Sequence, residues 1–140
     1  MHKEENIVLI TVDCLRADHL SFYGYKKETT PNLDRLASEG VTFTEAISNG
    51  SHTAISFPAI LTSTYGSMYG GYDYLSKIRM SIAEVMSKEG YSTAAFHSNP
   101  HLSASYNYDT GFDTFYDSME SNFSFLTFKT MMKLANLAEE

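Results

Sequence analysis

The first hydrophobic segment of the chain is a short, unbroken run near its amino terminus. Five of the six residues at positions 7–12 are apolar. A continuous apolar run of this length is typical of a strand that is buried on both faces, as in a parallel sheet. Asp13 follows the run directly. Since ligands of open parallel sheets bind beyond the carboxyl ends of the strands, Asp13 is a candidate site residue, although its carboxylate could equally cap the next turn or helix.

The next segment, residues 30–40, has the features of a complete helix. Thr30 is a suitable N-cap, Pro31 suits the first helical position, and Gly40 is a suitable stop. Its apolar positions fall on one face of a helix, and they are Leu33, Leu36 and Ala37.

Three further segments have helical spacing. Residues 53–63 form one of them, and Pro58 inside this segment predicts either a kink or a later start. Residues 81–90 form the next and end at a glycine. The last is an amphipathic helix over residues 122–138, which makes residues 122–140 a candidate partner-facing segment.

Two more strands are expected between these helices. Residues 41–46 alternate between apolar and polar, which predicts a strand with Val41 and Phe43 turned inward. Residues 91–97 are the third strand candidate, and residues 99–117 are predicted to be mostly loop. Helical segments thus separate the strands, which is typical of an α/β fold with a doubly wound, mainly parallel sheet and helices on both faces.

Composition narrows the classes of protein that fit this pattern. The chain has 140 residues, 43% of them hydrophobic and 19% charged, which fits one globular domain spanning residues 1–140. A net charge of -7 argues against a nucleic-acid surface. The single cysteine, Cys14, excludes an intrachain disulfide. The polar start and the lack of a long apolar run predict no membrane segment and a cytoplasmic location.

Several motifs together resemble the amino-terminal part of sulfatases, which belong to the alkaline phosphatase superfamily of metal-dependent hydrolases and transferases. The resemblance extends to about residue 117. In chain order the matching motifs are residues 6–13, 16–18, Tyr23-Gly24, residues 30–37, 39–43, 59–63, 82–84, 90–96 and Gly111-Phe112-Asp113.

The resemblance implies an alkaline phosphatase-like fold, of which the chain holds a part, and a divalent metal ion of unassigned identity (Ca, Mg, Mn or Zn). Asp13 falls on the first metal-binding aspartate of the family, where a carboxylate would be a hard oxygen ligand. Many sulfatases have a second aspartate directly after it. This chain has Cys14 there, which we expect to be a small buried residue at the strand end.

The same comparison places the sulfatase nucleophile position on Thr53. Sulfatases carry Cys-x-Pro-x-Arg there, and the cysteine becomes formylglycine, whereas residues 53–57 read Thr-Ala-Ile-Ser-Phe. Related phosphotransferases and phosphodiesterases use an unmodified Thr or Ser, so Thr53 is a candidate nucleophile and metal ligand. Ser51 and Ser56 are rival hydroxyls, and the alternative role of Thr53 is that of a helix N-cap.

Other charged side chains are weaker candidates. Arg16 could donate two hydrogen bonds to a phosphate or sulfate group, or it could pair with Asp18 or Asp34. Three histidines lie near the candidate site or the third strand, and they are His52, His97 and His101. A lone histidine is more often a surface or structural residue than a ligand.

Members of this family are much longer than 140 residues, and their other metal ligands lie far downstream. The resemblance therefore predicts an amino-terminal portion of a sulfatase-like hydrolase of sulfate or phosphate esters, with a small anionic ester as substrate and no catalysis by this chain alone. The alternatives are a phosphotransferase or phosphodiesterase with a Thr nucleophile, and a non-catalytic domain that keeps only the fold. A partial sheet also predicts an exposed strand edge or apolar face, and hence either self-association or a partner that supplies the missing half.

Overall fold

The computed structural model describes residues 6–69 and 74–118. The chain divides into two compact units, Met1–Ile47 and Ser48–Glu140, which are called the amino-terminal and carboxyl-terminal units below. The helix predicted over residues 122–138 lies outside the described residues. Within the described ranges, no helix is both long enough and apolar enough to cross a bilayer.

The amino-terminal unit contains one α-helix, α1, over Pro31–Glu39. The prediction for this segment is confirmed, with Thr30 as the N-cap, Pro31 at the start and Gly40 as the C-cap. The Thr30 side chain does not cap the helix. Its hydroxyl instead donates to Asp34 Oδ1 at 3.2 Å. Two short 3-10 turns, Ala17–His19 and Ser21–Tyr23, precede the helix.

Two predicted strands do not form in this unit. Residues 7–12 and 41–46 have no strand conformation in the structure. Val41 and Phe43, predicted to point inward, are 81% and 74% exposed. The physical reason is that a strand needs a hydrogen-bonded neighbour as well as an apolar sequence, and the described part of this unit supplies none.

The carboxyl-terminal unit contains two α-helices, α2 over Thr53–Thr62 and α3 over Ile82–Lys88. The sequence predicted either a kink at Pro58 or a later start for α2. The later start does not occur, because α2 begins at Thr53 and contains Pro58. Helix α3 begins with a capping box: Glu84 N donates to Ser81 Oγ at 3.2 Å, and Ser81 N donates to Glu84 Oε2 at 2.8 Å. The box satisfies two backbone donors at the helix start.

A two-stranded parallel sheet follows α3. Strand β1 is Ala94–His97 and strand β2 is Thr114–Asp117. Ala94 pairs with Thr114, and His97 pairs with Asp117. Strand β1 lies within the predicted third strand, whereas β2 lies in a segment predicted to be mostly loop. The α/β class with parallel pairing is therefore confirmed, and the sheet of the described residues has two strands.

The two strands are joined just before they begin. Thr93 Oγ1 donates to Gly111 O at 2.8 Å, and Thr93 N donates to Asp113 Oδ2 at 2.9 Å. Asp113 N donates back to Thr93 O at 3.0 Å. The Gly-Phe-Asp motif of residues 111–113 therefore has a structural role, which is to set the start of β2 against the start of β1.

Apolar packing in this unit centres on three buried residues, Leu75, Leu102 and Tyr108. Phe57 and Leu61 of α2 pack against this cluster, and so do Phe115 of β2 and Tyr106. Helix α2 is thereby anchored to this cluster through Phe57 and Leu61.

Gly111 should tolerate no side chain. Its φ is +89°, and an added Cβ would lie 2.5 Å from Glu84 N at the start of α3. We expect Gly111→Ala to lower the free energy of unfolding by roughly 2 kcal/mol or more, measured by urea titration, because strain and overlap add. Gly90→Ala is the matched control: its φ is also +89°, but nothing lies within 4 Å of the added Cβ. Equal losses in the two variants would contradict the close approach.

Candidate functional site

The first candidate residues lie in a turn after residues 7–12. Leu15 N donates to Val12 O at 3.4 Å across this turn. Cys14 has a positive φ of 59° and is exposed, so the expectation that it is buried was wrong. The turn carries it out of line with the preceding residues. Its thiol lies 3.7 Å from Asp13 Oδ1, so a carboxylate oxygen and a sulfur are adjacent at the surface.

Arg16 makes the closest ion pair of this unit. Its Nε donates to Asp18 Oδ1 at 2.9 Å, and its second guanidinium nitrogen lies 2.5 Å from Asp18 Oδ2. His19 Nδ1 lies 3.0 Å from the same carboxylate. The hydrogen bond from Arg16, supported by His19, holds the pKa of Asp18 well below its ordinary value, and the pairing raises the pKa of Arg16. Both side chains are largely exposed, so the pair contributes little to stability.

Asp34, the other acidic partner considered for Arg16, has a different role. Its Oδ1 accepts hydrogen bonds from Phe22 N and from Thr30 Oγ1, both at 3.2 Å. Asp34 therefore connects α1 to the preceding 3-10 turn. The guanidinium of Arg16 is paired with Asp18, and a substrate anion would compete with that carboxylate for it.

Thr53 lies at the start of α2 in the carboxyl-terminal unit. The N-cap is His52, whose side chain makes no capping hydrogen bond, so Thr53 is the first helical residue and does not serve as the cap. Ile55 N and Ser56 N both donate to His52 O, at 3.1 and 3.0 Å. Within the described residues, the Thr53 hydroxyl and the backbone N–H groups of Thr53 and Ala54 have no hydrogen-bond acceptor. Two free amides and a half-buried hydroxyl therefore share one helix end.

The loop before α2 is fixed by hydroxyl groups. Ser56 Oγ donates to Gly50 O at 3.1 Å, and Ser48 Oγ donates to the same oxygen at 2.8 Å. An added Cβ on Gly50 would lie 2.4 Å from Ile55 Cγ2, so the loop packs directly on the first turn of the helix. Ser48 and Gly50 were not among the residues predicted to position the site. The Asn-Gly-Ser stretch indicated a loop, but nothing in it indicated which helix the loop would contact.

The rival hydroxyls are engaged in the structure. Ser56 Oγ donates to Gly50 O, as described above, and also lies 3.0 Å from His52 O. Ser51 Oγ lies 3.2 Å from His52 Nδ1. Of the three hydroxyls at this helix start, that of Thr53 has no hydrogen-bond partner within the described ranges, so an incoming ester would not have to displace one.

The remaining candidate histidines have structural neighbours. His97 Nε2 lies 3.8 Å from Asp117 Oδ2 at the carboxyl ends of β1 and β2, and its ring contacts Phe115 with centroids 4.9 Å apart. Its Nδ1 lies 3.2 Å from Asn99 O. The backbone N–H of His101 donates to Asn99 Oδ1 at 3.0 Å. The His97–Asp117 pair could not be predicted from the sequence, because β2 was not predicted as a strand.

A metal ion needs more ligands than these residues provide. Over residues 6–69 and 74–118, no three His, Cys, Asp or Glu side chains come close enough together to hold an ion. Asp13 could supply one oxygen, but divalent cations such as Ca²⁺ take about six to eight. The described residues therefore do not fit a complete metal site.

Comparison with known proteins decides the family. The Sulfatase family profile matches residues 5–125. The chain belongs to the sulfatase family. The resemblance derived from the motifs is thus confirmed, and it extends over most of the chain.

Individual relatives include ulvan-active sulfatase of Formosa agariphila, 34% identical over 107 residues that make up 72% of this chain and 21% of the relative. Human arylsulfatase A is 36% identical over 97 residues, which are 63% of this chain and 19% of the relative. The putative transferase YhbX of Escherichia coli is 37% identical over 59 residues, 42% of this chain and 11% of the relative. The matched segment of this sulfatase-family chain thus spans about a fifth or less of these relatives. No solved structure matches the chain.

The pairing of Arg16 predicts a measurable change at Asp18. We expect the carboxyl ¹³C resonance of Asp18 to titrate below the ordinary aspartate range, and Arg16→Gln to move that pKa upward, because the first cause of the shift is the Arg16 hydrogen bond. The Arg16–Asp18 pair is intact at pH values above the ordinary pKa of aspartate, and it is lost as the pH falls through the lowered pKa of Asp18. Arg35→Gln, on α1, is the control. An unchanged Asp18 pKa in Arg16→Gln would contradict the pairing.

Proposed function

We propose that this chain carries the nucleophile-bearing part of a sulfatase-family hydrolase of sulfate or phosphate esters, with Thr53 as the nucleophile. The supporting observation is the start of α2, where the Thr53 hydroxyl and the amides of Thr53 and Ala54 have no partner within the described residues. Free amides at a helix start favour an anionic group, since they add hydrogen-bond donors to the positive end of the helix dipole.

The proposed chemistry is a displacement at sulfur or phosphorus. The Thr53 oxygen forms a bond to the central atom of the ester, and the bond to the departing alcohol oxygen breaks. The hydroxyl releases a proton and the departing oxygen takes one up. Water then cleaves the covalent intermediate and regenerates the hydroxyl. The amides of Thr53 and Ala54 would hold a non-bridging oxygen, whose negative charge grows in the transition state.

Asp13 is proposed as one oxygen ligand of a divalent ion, on the strength of its position in the sulfatase motif. When bound, such an ion would lower the pKa of a coordinated hydroxyl and polarise an ester oxygen. Thr53 is the second candidate ligand, and the described residues do not supply a complete set, so the steps above are assigned to the chain's own groups. Arg16 is proposed as an anion contact that exchanges Asp18 for a substrate oxygen.

Phosphoryl transfer is the second candidate, and two observations favour it. Thr53 stands where sulfatases carry the cysteine that becomes formylglycine, so the aldehyde hydrate of a sulfatase cannot form here. One relative, 37% identical over 59 residues, bears the name putative transferase. A Thr nucleophile makes a stable phosphoryl intermediate that can pass to a second alcohol or to water.

Anion binding by the chain is the first test. We expect inorganic phosphate, titrated into ¹⁵N-labelled chain, to shift the amide resonances of Thr53 and Ala54 more than those at the start of α3, where the capping box already occupies the donors. Sodium chloride at equal ionic strength is the control for general screening, and inorganic sulfate measures the anion preference. Equal, small shifts at both helix starts would contradict an anion site at α2.

The nucleophile is tested by substitution. With an aryl phosphate, an aryl phosphodiester and an aryl sulfate offered in the presence of Mn²⁺ or Ca²⁺ to the chain together with the polypeptide that supplies the remaining metal ligands, we expect a covalent adduct on Thr53 by peptide mass spectrometry. Thr53→Ala should abolish the adduct and lower any turnover by at least about 10³-fold. Thr53→Ser should retain both. Ser51→Ala is the matched control. Labelling of Ser51 in the wild type, or full activity of Thr53→Ala, would exclude Thr53, and a non-catalytic domain would give no adduct at all.

A further inference from the structure

The carbonyl oxygen of His52 is the meeting point of three hydrogen-bond donors, counted over the part of the chain that the structure describes. The backbone N–H groups of Ile55 and Ser56 donate to it at 3.1 and 3.0 Å. The hydroxyl of Ser56 also lies 3.0 Å from the same oxygen. Since a carbonyl oxygen has two lone pairs, these donors use the full capacity of this acceptor.

The peptide group of this carbonyl also contains the N–H of Thr53. Hydrogen bonds polarise one another, so bonds accepted by the oxygen of a peptide group make its N–H a stronger donor. Because the peptide group is planar, the same bonds also fix the direction of that N–H. The Ser56 hydroxyl therefore acts, through the backbone, on the residue that carries the candidate nucleophile.

The hydroxyl of Ser56 has one proton and two carbonyl oxygens within reach, His52 O at 3.0 Å and Gly50 O at 3.1 Å. Ser48 decides between these two acceptors. Its hydroxyl donates to Gly50 O at 2.8 Å, and its oxygen lies 3.1 Å from Ser56 Oγ. With Gly50 O supplied by Ser48, the Ser56 proton can turn to His52 O without leaving either carbonyl short of a donor.

The loop holds Ser48 in place for this role. Gly50 N donates to Ser48 Oγ at 3.3 Å, so the loop closes on the hydroxyl that it presents to α2. A Cβ on Gly50 would lie 2.4 Å from Ile55 Cγ2, so the loop comes this close to the helix because position 50 has no side chain. Serine hydroxyls in helices often bond to the carbonyl four residues earlier. A second serine that occupies the competing acceptor is a more specific arrangement.

We propose that Ser48 and Ser56 are positioning residues for the reaction at Thr53. Ser48 supplies Gly50 O and thereby directs the Ser56 proton to His52 O, which fixes and polarises the peptide group between residues 52 and 53. The inference rests on the proposed function, since it gives these two serines a part in the reaction of Thr53. All the residues involved belong to the carboxyl-terminal unit.

The hydrogen bonding is tested by NMR on the intact, ¹³C- and ¹⁵N-labelled chain. We expect the carbonyl ¹³C resonance of His52 and the amide ¹⁵N resonance of Thr53 to move upfield in Ser56→Ala and in Ser48→Ala, because each substitution takes the hydroxyl donor away from His52 O. Ser56→Thr keeps a hydroxyl and should restore both resonances. The carbonyl of Ser81 accepts a backbone N–H at the start of α3. Its unchanged resonance is the internal control and shows that each variant is folded.

The positioning role is tested by the rate of covalent labelling at Thr53, measured on the chain together with the polypeptide that supplies the remaining metal ligands, with the same three aryl esters. We expect Ser56→Ala and Ser48→Ala to be labelled about tenfold more slowly at saturating ester, roughly the factor that one hydrogen bond contributes. The half-saturating ester concentration should change little, because the Thr53 N–H binds an oxygen whose charge grows in the transition state. Ser56→Thr should be labelled at nearly the wild-type rate, and Ser51→Ala is the matched control.

The double variant of Ser48 and Ser56 tests whether the two serines act as one unit. It should be no slower than Ser56→Ala alone, because both substitutions remove the same hydrogen bond. Additive losses, or an unmoved His52 carbonyl resonance in Ser48→Ala, would overturn the link between the serines.

Two outcomes separate this inference from the proposed function. Labelling of Ser56→Ala at the wild-type rate would overturn the positioning role and leave Thr53 as the nucleophile. No labelling of the wild-type chain would remove the proposed function, and the positioning role would fall with it.

Discussion

The hydrogen bonds between Thr93 and the Gly111–Asp113 turn are the constraint on which the parallel sheet depends. A pair of parallel strands this short cannot be joined by a hairpin, so their register must be set by contacts at their ends. Thr93 bonds through its side chain to Gly111 O and through its backbone to Asp113. Because Gly111 also lies against the first turn of α3, one small turn aligns a helix and two strands. The Gly111-Phe112-Asp113 motif, which could have been assigned to catalysis, thus has a structural role in this sheet.

Local signals in the sequence were sufficient for the helices. Pro31, the Ser81–Glu84 capping box and the glycines after α1 and α3 act within a few residues, so their effect can be predicted without knowing the tertiary structure. Residues 7–12 show the limit of such signals. Their apolar pattern is correct for a strand, but strand formation needs a neighbour, and a pattern does not say where that neighbour is. Strand β2 is the opposite case. Its segment was predicted to be mostly loop, and it forms a strand because it pairs with β1.

The candidate site was predictable in part for a similar reason. Position in the sulfatase motifs pointed to Asp13 and Thr53. Physical details required the structure: His52 is the cap of α2, so the Thr53 hydroxyl has no capping role, and Arg16 is held by Asp18. Ser48 and Gly50, which fix the loop before α2, act through contacts with its first turn that spacing alone does not reveal.

The left-handed backbone at Cys14 has an evolutionary consequence. A φ of 59° is tolerated by asparagine and aspartate far better than by β-branched residues. Many sulfatases have aspartate at this position, so exchange between cysteine and aspartate here would require no change in the path of the main chain. Valine, isoleucine and threonine would each be strained. The turn therefore restricts which side chains can occupy the position, and it accommodates either a thiol or a second carboxylate without rebuilding the main chain.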